Sequence, residues 1–376
     1  MIPAVFAILM AQTPTQAVQS VARKQDQFGL AALQAMAKPG ENIVISPNNL
    51  LYAFAGLYPA ASGESRKALE KALGVTSGAE VAQTNVLKQI FTTPGMGDEQ
   101  LESAAAAWID NEIHPTPAYV NAIKVGLDYD LRNLDLQSPT ALGEINGWVK
   151  RETNDRIPSI LEQMPRGALM VLTSALYYKA PWVQKMTVYD VPMSFGTTGT
   201  KQQVKSMGMN GEFAYLDAPT YRALVVPFKG DGVAEFYVPK GDHTPEHIAG
   251  AALSETAAKR VERVRLRMPM WKVEYYESVK EPLQKAGLAP LFEPRDEFRP
   301  IAPDVWVLDA FHRTWVDMNE NGVEAAAATA VVVGRTSAPI GEPIDFTIDR
   351  PFFVVIRKKT TGAALFMGFI HRPTAF

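Results

Sequence analysis

The chain contains no cysteine in its 376 residues. That excludes disulfides, thiol nucleophiles and thiolate metal sites together, so the fold must hold by packing alone. There is no excess of positive charge either. A count of 37 Lys and Arg against 40 Asp and Glu leaves a net charge of -3, which argues against a surface that binds nucleic acid or other polyanions generally. The short run Arg357-Lys358-Lys359 reads as a solvated turn. No apolar stretch has the length of a membrane span. Catalytic signatures are also missing, with no G-x-S-x-G, H-E-x-x-H, P-loop or G-x-G-x-x-G. Five histidines, His114, His243, His247, His312 and His371, could supply a general base, yet none sits in a catalytic motif. His243 and His247 are four apart, but Pro245 lies between them, so they read as a solvated turn and helix start rather than a metal pair. The expectation is a non-enzyme with no metal and no cofactor.

What is present is an ordinary globular composition, 47% hydrophobic and 20% charged, with ample material for a core. Length alone allows one large domain or two. Apolar residues at helical spacing mark Gln27 to Ala37, Leu50 to Leu57 and Ser65 to Leu73, and Pro39-Gly40 breaks the first. Runs rich in β-branched and aromatic residues mark strands at Tyr221 to Val226, Phe236-Tyr237-Val238, Val264 to Met268, Val305-Trp306-Val307 and Phe352 to Ile356. This mixture predicts an α+β fold. At the N-terminus, Ala4 to Met10 is a short apolar run without a basic flank. It reads equally as the remnant of a secretory signal and as a tail or part of the first helix.

The segment Asn321 to Thr336, NGVEAAAATAVVVGRT, is the most informative. Its alanines favour helix, but no apolar stripe of helical period surrounds them and three valines follow at once. With a period of two, one face carries Val323, Ala325, Ala327, Thr329, Val331 and Val333, and the other Glu324, Ala326, Ala328, Ala330, Val332 and Gly334. The first face is small or apolar throughout and contains no proline, so this segment could enter an existing sheet at little desolvation cost.

The hinge Glu320-Asn321-Gly322-Val323-Glu324 with its alanine run resembles the reactive-centre hinge of the serpins, protease inhibitors whose exposed loop is cleaved and then inserts into their central sheet. Other blocks follow in family order. Asn42 to Pro47 with Ala61-Ser62-Gly63-Glu64-Ser65, Ile145 to Val149 with Thr153 and Ile157, Leu172 to Trp182, Asp349-Arg350-Pro351-Phe352 and Leu365-Phe366-Met367-Gly368 are similar to serpin motifs. Departures are Ser65 for threonine, Ala180 for glycine, Val323 for threonine and Arg372-Pro373 for the usual N-P. The resemblance covers nearly the whole chain from about residue 25.

The resemblance implies a serpin fold: a large antiparallel or mixed central sheet, two further sheets, surrounding helices and an exposed reactive-centre loop. It implies a tail or signal remnant over residues 1–20, a single domain over 21–376 and a secreted monomer. The partner would be a serine protease that attacks the loop as a substrate and is held covalently, which makes the protein a suicide inhibitor. Hinge residues carried over are Glu320, Gly322, Val323, Glu324, Ala325, Ala326, Ala327, Ala328 and Thr329. The family's spacing from Gly322 places the reactive bond at Thr336-Ser337, and a loop one residue shorter would be cut at Arg335-Thr336; the two suit different proteases. Around the opening of the sheet the resemblance places His312 near Ser46 and Ser174, with Trp182 at the top. Asn49 stands where a second serine is usual, and Ser174 where asparagine is usual. A non-inhibitory serpin-like binding or chaperone protein is the alternative, against which the clean hinge counts.

Overall fold

The computed structural model describes residues 16–76, 80–197, 199, 201–255, 259–324 and 342–375. The first half carries α1 (Gln16–Met36), β1 (Ile43–Ile45), α2 (Pro47–Ala55), α3 (Gly63–Leu73), α4 (Glu80–Thr92), β2 (Gln100–Asp110), α5 (Pro117–Asn121), β3 (Asp130–Leu134), α6 (Ala141–Glu152) and β4 (Met170–Pro181). Then come β5 (Thr187–Phe195), β6 (Gln202–Asp217), β7 (Tyr221–Pro227), β8 (Gly232–Pro239), α7 (Pro245–Ser254), β9 (Arg260–Pro269), β10 (Trp271–Ser278) and α8 (Lys280–Leu283). The chain closes with β11 (Phe311–Asn319), β12 (Gly322–Val323), β13 (Ile344–Thr347), β14 (Phe352–Lys358) and β15 (Ala364–Ile370).

Several boundaries follow from local chemistry. Ser46, Thr116 and Thr244 each stand before a proline, and each side chain accepts a backbone N–H at the start of α2, α5 or α7. The hydroxyl satisfies an orphan donor, and proline fixes the first helical φ without wasting an N–H. Helix α1 begins well before Gln27 and buries Val18, so a boundary at residue 20 would fall inside it. Helix α2 likewise starts earlier than Leu50, at the capped Pro47, and ends at Ala55.

The six-stranded sheet runs β10-β11-β12-β4-β2-β3 and is mixed, because β2 and β3 pair in parallel while the other ladders are antiparallel. The two further sheets expected from the resemblance are one network here. Nine strands join through the 16-residue β6, which pairs with β5 and β9 along most of its length and with β7 at its end. Trp108, Ala106 and Ala175 of the six-stranded sheet pack under Ile145, Trp148 and Val149 of α6, with the two indoles edge-on at 6.1 Å. The sheet's other face meets the nine-stranded network through Leu176, Tyr178, Met207, Leu224 and Phe366.

Two sequence expectations are corrected. Val305-Trp306-Val307 is not a strand: its N–H at Val307 donates to Leu291 O at 2.9 Å, and Val305 and Val307 pack against the helical core as an extended loop. A three-residue apolar run is too short to distinguish a ladder from a buried connection. Arg357-Lys358-Lys359 is not a solvated turn either, because its first two members end β14 inside the protein. Arg357 bonds Asp26 at 2.9 Å and Glu235 at 3.1 Å, tying α1 to the nine-stranded sheet. Lys358, 1% exposed, donates to the carbonyls of Thr93 and Pro94. Partners on three elements compensate the burial of these charges, and such partners are invisible in a local charge count.

A close backbone approach lies at Gly368, where β15 pairs with β1: a Cβ there would sit 2.4 Å from Ile43 O and 2.6 Å from Val44 Cγ2. Replacing Gly368 by Ala is expected to cost about 1–3 kcal/mol by overpacking. A urea unfolding midpoint unchanged from the wild type would contradict this account.

Candidate functional site

Among the described residues, β4 and β11 of the six-stranded sheet are bridged by only two residues. Val323 sits opposite Ala180 of β4 and Met318 of β11, and Gly322 opposite Pro181 and Asn319. Beyond Val323, among the described residues, no strand lies between Met170–Lys179 and Phe311–Asp317. Strand parity shows which backbone groups face this opening. The Trp182 N–H donates to Asn321 O and the Glu324 N–H to Asp317 O, both at 2.9 Å. Even-numbered residues of β4 and odd-numbered residues of β11 therefore turn their peptide groups toward each other across it.

The top of the opening is built to hold the hinge. Gly322 has φ 139°, and a Cβ there would lie 2.1 Å from Ala180 O, so only glycine fits. Trp182, stacked on Phe228 at 4.4 Å, donates its indole N–H to Asn319 O at 3.0 Å, and Met186 N–H donates to Glu320 O. Val323 is buried among the core side chains between the two sheets. At Glu324 the chain turns away with φ 49°, a left-handed conformation that is uncommon for this residue type. The Glu324 carboxylate pairs with Arg156, whose guanidinium lies 5.0 Å above the Trp315 ring. Burial raises the Glu324 carboxyl above its usual range, and Arg156 offsets part of that.

Farther down, four polar side chains gather. The Ser46 hydroxyl caps α2 by accepting the Asn49 N–H at 3.1 Å. The Ser46 N–H donates to His312 Nε2 at 3.0 Å, which fixes the imidazole proton on Nδ1. The Ser174 hydroxyl donates to the Asn49 carbonyl at 2.6 Å. In the amide orientation that satisfies both its ends, Asn49 Oδ1 accepts from the Leu176 N–H at 2.9 Å, and Nδ2 donates to Ser174 O at 3.3 Å. Leu176 and Ser174 are even-numbered, so this amide caps the β4 edge that faces the opening, much as the peptide of an additional strand would.

Ser46, Ser174 and His312 thus lie in one group with Asn49, and Trp182 stands at the top of the sheet. The wiring differs in detail. His312 meets the Ser46 backbone rather than its hydroxyl, and Ser174 bonds to Asn49 rather than to His312. Asn49 is the residue whose role the sequence left unassigned; its signal was the exchange of Asn and Ser between positions 49 and 174. Of the hinge, Glu320, Gly322, Val323 and Glu324 are placed. Ala325, Ala326, Ala327, Ala328, Thr329, Arg335, Thr336 and Ser337 lie outside the described residues. His243 and His247 stack at 4.9 Å on the surface, at the capped start of α7.

An incompletely paired sheet with a glycine-hinged segment seated at its top defines a class. Residues 23–373 match the family model of the serpins, described as serine protease inhibitors, and the chain belongs to that family. Among characterised relatives, neuroserpin of Gallus gallus is 26% identical over 363 residues, covering 90% of this chain and 88% of that protein. An uncharacterised serpin-like protein of Pyrobaculum aerophilum is 28% identical over 355 residues, covering 89% and 90%. The fold matches that of the thermophilic serpin tengpin in its native state at a TM-score of 0.80, with 21% identity over 94% of each chain. It also matches human thyroxine-binding globulin complexed with thyroxine at 0.82, with 18% identity over 95% of this chain and 99% of that one. Among the described residues, no helix is long and apolar enough to cross a membrane.

Burial pushes the His312 imidazole down from 6.5 to about 3. The folded protein keeps it neutral while the unfolded chain takes up a proton below 6.5, so its contribution to stability is complete above 6.5 and is lost as pH falls toward 3. His312→Gln is expected to flatten the pH dependence of unfolding across that window, by up to about 1.4 kcal/mol per pH unit. Parallel unfolding curves for variant and wild type from pH 7 to pH 4 would refute this.

Proposed function

We propose that the protein is a suicide inhibitor of serine endopeptidases, in which the hinge continues into the opening between β4 and β11 after the loop is cut. The carrying observation is the register at the top of that opening. Counting down from Val323, opposite Ala180 and Met318, Ala325 would lie between Tyr178 and Val316, Ala327 between Leu176 and Thr314, and Thr329 between Ser174 and His312. The residues that turn inward with Val323 are all small, so no charge would be buried. Thr329 would bring a hydroxyl to the polar group of Ser46, Asn49, Ser174 and His312. The entering peptide groups would replace the Asn49 amide on the edge of β4.

The chemistry follows from acyl transfer. The hydroxyl of the protease serine attacks the carbonyl carbon of Thr336, the bond to the Ser337 nitrogen breaks, and that nitrogen leaves as an amine carrying the proton taken from the hydroxyl. The ester so formed would be hydrolysed by water unless the attached segment first moves into the sheet and carries the protease away from its working geometry. The new strand gains ladder hydrogen bonds and buries apolar surface, which supports insertion as the downhill step.

The second reading is a binding protein on the same fold, favoured by the likeness to thyroxine-binding globulin complexed with thyroxine. The two separate on incubation with trypsin, elastase and subtilisin. An inhibitor yields a complex that survives denaturing gels and a C-terminal fragment beginning at Ser337, or at Thr336 if the cut follows Arg335. Cleavage by all three without complex would reject the inhibitory reading.

Arginine at an inward hinge position could not be buried without a partner. Thr329→Arg and Ala327→Arg are therefore each expected to convert the protein from inhibitor to substrate, raising by at least about tenfold the moles consumed per mole of protease inhibited. Unchanged stoichiometry in both variants would rule out insertion.

A further inference from the structure

Below the polar group, the space between the two central strands widens into a cavity of about 190 Å³. The run into β4, from Leu169 to Ser174, forms one wall, and the run into β11, from Asp304 to His312, forms the other. Its lining is mostly aliphatic, and Phe54 of α2, Phe298 and Trp306 add aromatic faces. An apolar cavity of about 150 Å³ suffices to hold a benzene molecule, so this one takes a single ring with a short substituent.

Its polar end is specific. His312 uses Nε2 to accept the Ser46 N–H, its proton is on Nδ1, and Nδ1 forms no hydrogen bond among the described residues. One donor is thus left on a ring that lines the cavity. Neither Lys nor Arg contributes to the lining, while Asp304 and Asp309 do, so nothing there compensates an anionic guest. Burial holds the imidazole itself neutral.

We propose that this cavity is a binding site for a small neutral aromatic molecule bearing one hydrogen-bond acceptor, held between β4 and β11 with the acceptor toward His312. Its regulatory consequence rests on the insertion reading above. By the register counted from Val323, Val331 would arrive between Leu172 and Ala310, and Val333 between Met170 and Leu308, all four of which line the cavity. A bound guest occupies that volume, stalls the strand halfway and leaves time for the acyl-enzyme to hydrolyse.

The test uses para-fluorophenol as probe, followed by fluorine NMR on the full chain. Saturable binding is expected, weakened roughly tenfold or more when Ala53→Leu or Val305→Trp fills the space; both residues line the cavity, and Val305 lies on a loop where a larger ring is least disruptive to folding. Circular dichroism confirms that the variant compared is folded. Absence of saturable binding to the wild type, or equal binding by a folded variant, overturns the site. Protein nicked in its loop separates this proposal from the function it rests on. Binding lost on nicking supports both, whereas binding retained after nicking supports the ligand site and rejects insertion.

Discussion

The two-residue ladder at Gly322 and Val323 is the constraint on which the rest depends. Elsewhere in the six-stranded sheet each strand pairs along most of its length, but among the described residues β4 and β11 are joined only through this bridge. Backbone donors and acceptors face each other across the remainder, and their hydrogen bonds are too valuable to be left unmade in a protein interior. The molecule meets the problem on the β4 side with a side chain: Asn49, anchored on α2, presents an amide to Leu176 N–H and Ser174 O. Such a substitute is reversible, because an amide held by one side chain can be displaced by a strand that offers many.

The hinge is held at its entry by three unlike devices. Glycine is compulsory at 322 because any Cβ would collide with the Ala180 carbonyl. Trp182 clasps the preceding turn through one indole hydrogen bond. Glu324, left-handed and paired with Arg156, ends the two-residue ladder. For the strand to continue, Glu324 must become extended and the ion pair must yield. On the insertion proposed above, retention at the top, the polar group midway and the cavity below would be successive stages of one path.

The sequence made much of this legible because the relevant signals are local. Alternation from Val323 to Val333 marked a segment patterned like a strand, and Pro39-Gly40 marked the break after the first helix. Small residues on one face of that pattern meet the condition that the proposed insertion sets. Other features stayed hidden because they come from contacts between distant segments. Val305-Trp306-Val307 looked like a strand, but its partner is a turn at Leu291. Arg357 and Lys358 looked solvated, but Asp26, Glu235, Thr93 and Pro94 arrive from elsewhere in the chain to receive them.

By itself, then, the amino-acid order determined the periodicities and the family, since each depends on side chains near one another along the chain. Tertiary structure alone decided that Asn49 joins Ser46, Ser174 and His312, which edge of β4 Asn49 covers, and that a cavity lies beneath it. Those facts depend on the register between strands and on the helix laid against them, and a register exists only once segments more than a hundred residues apart have paired.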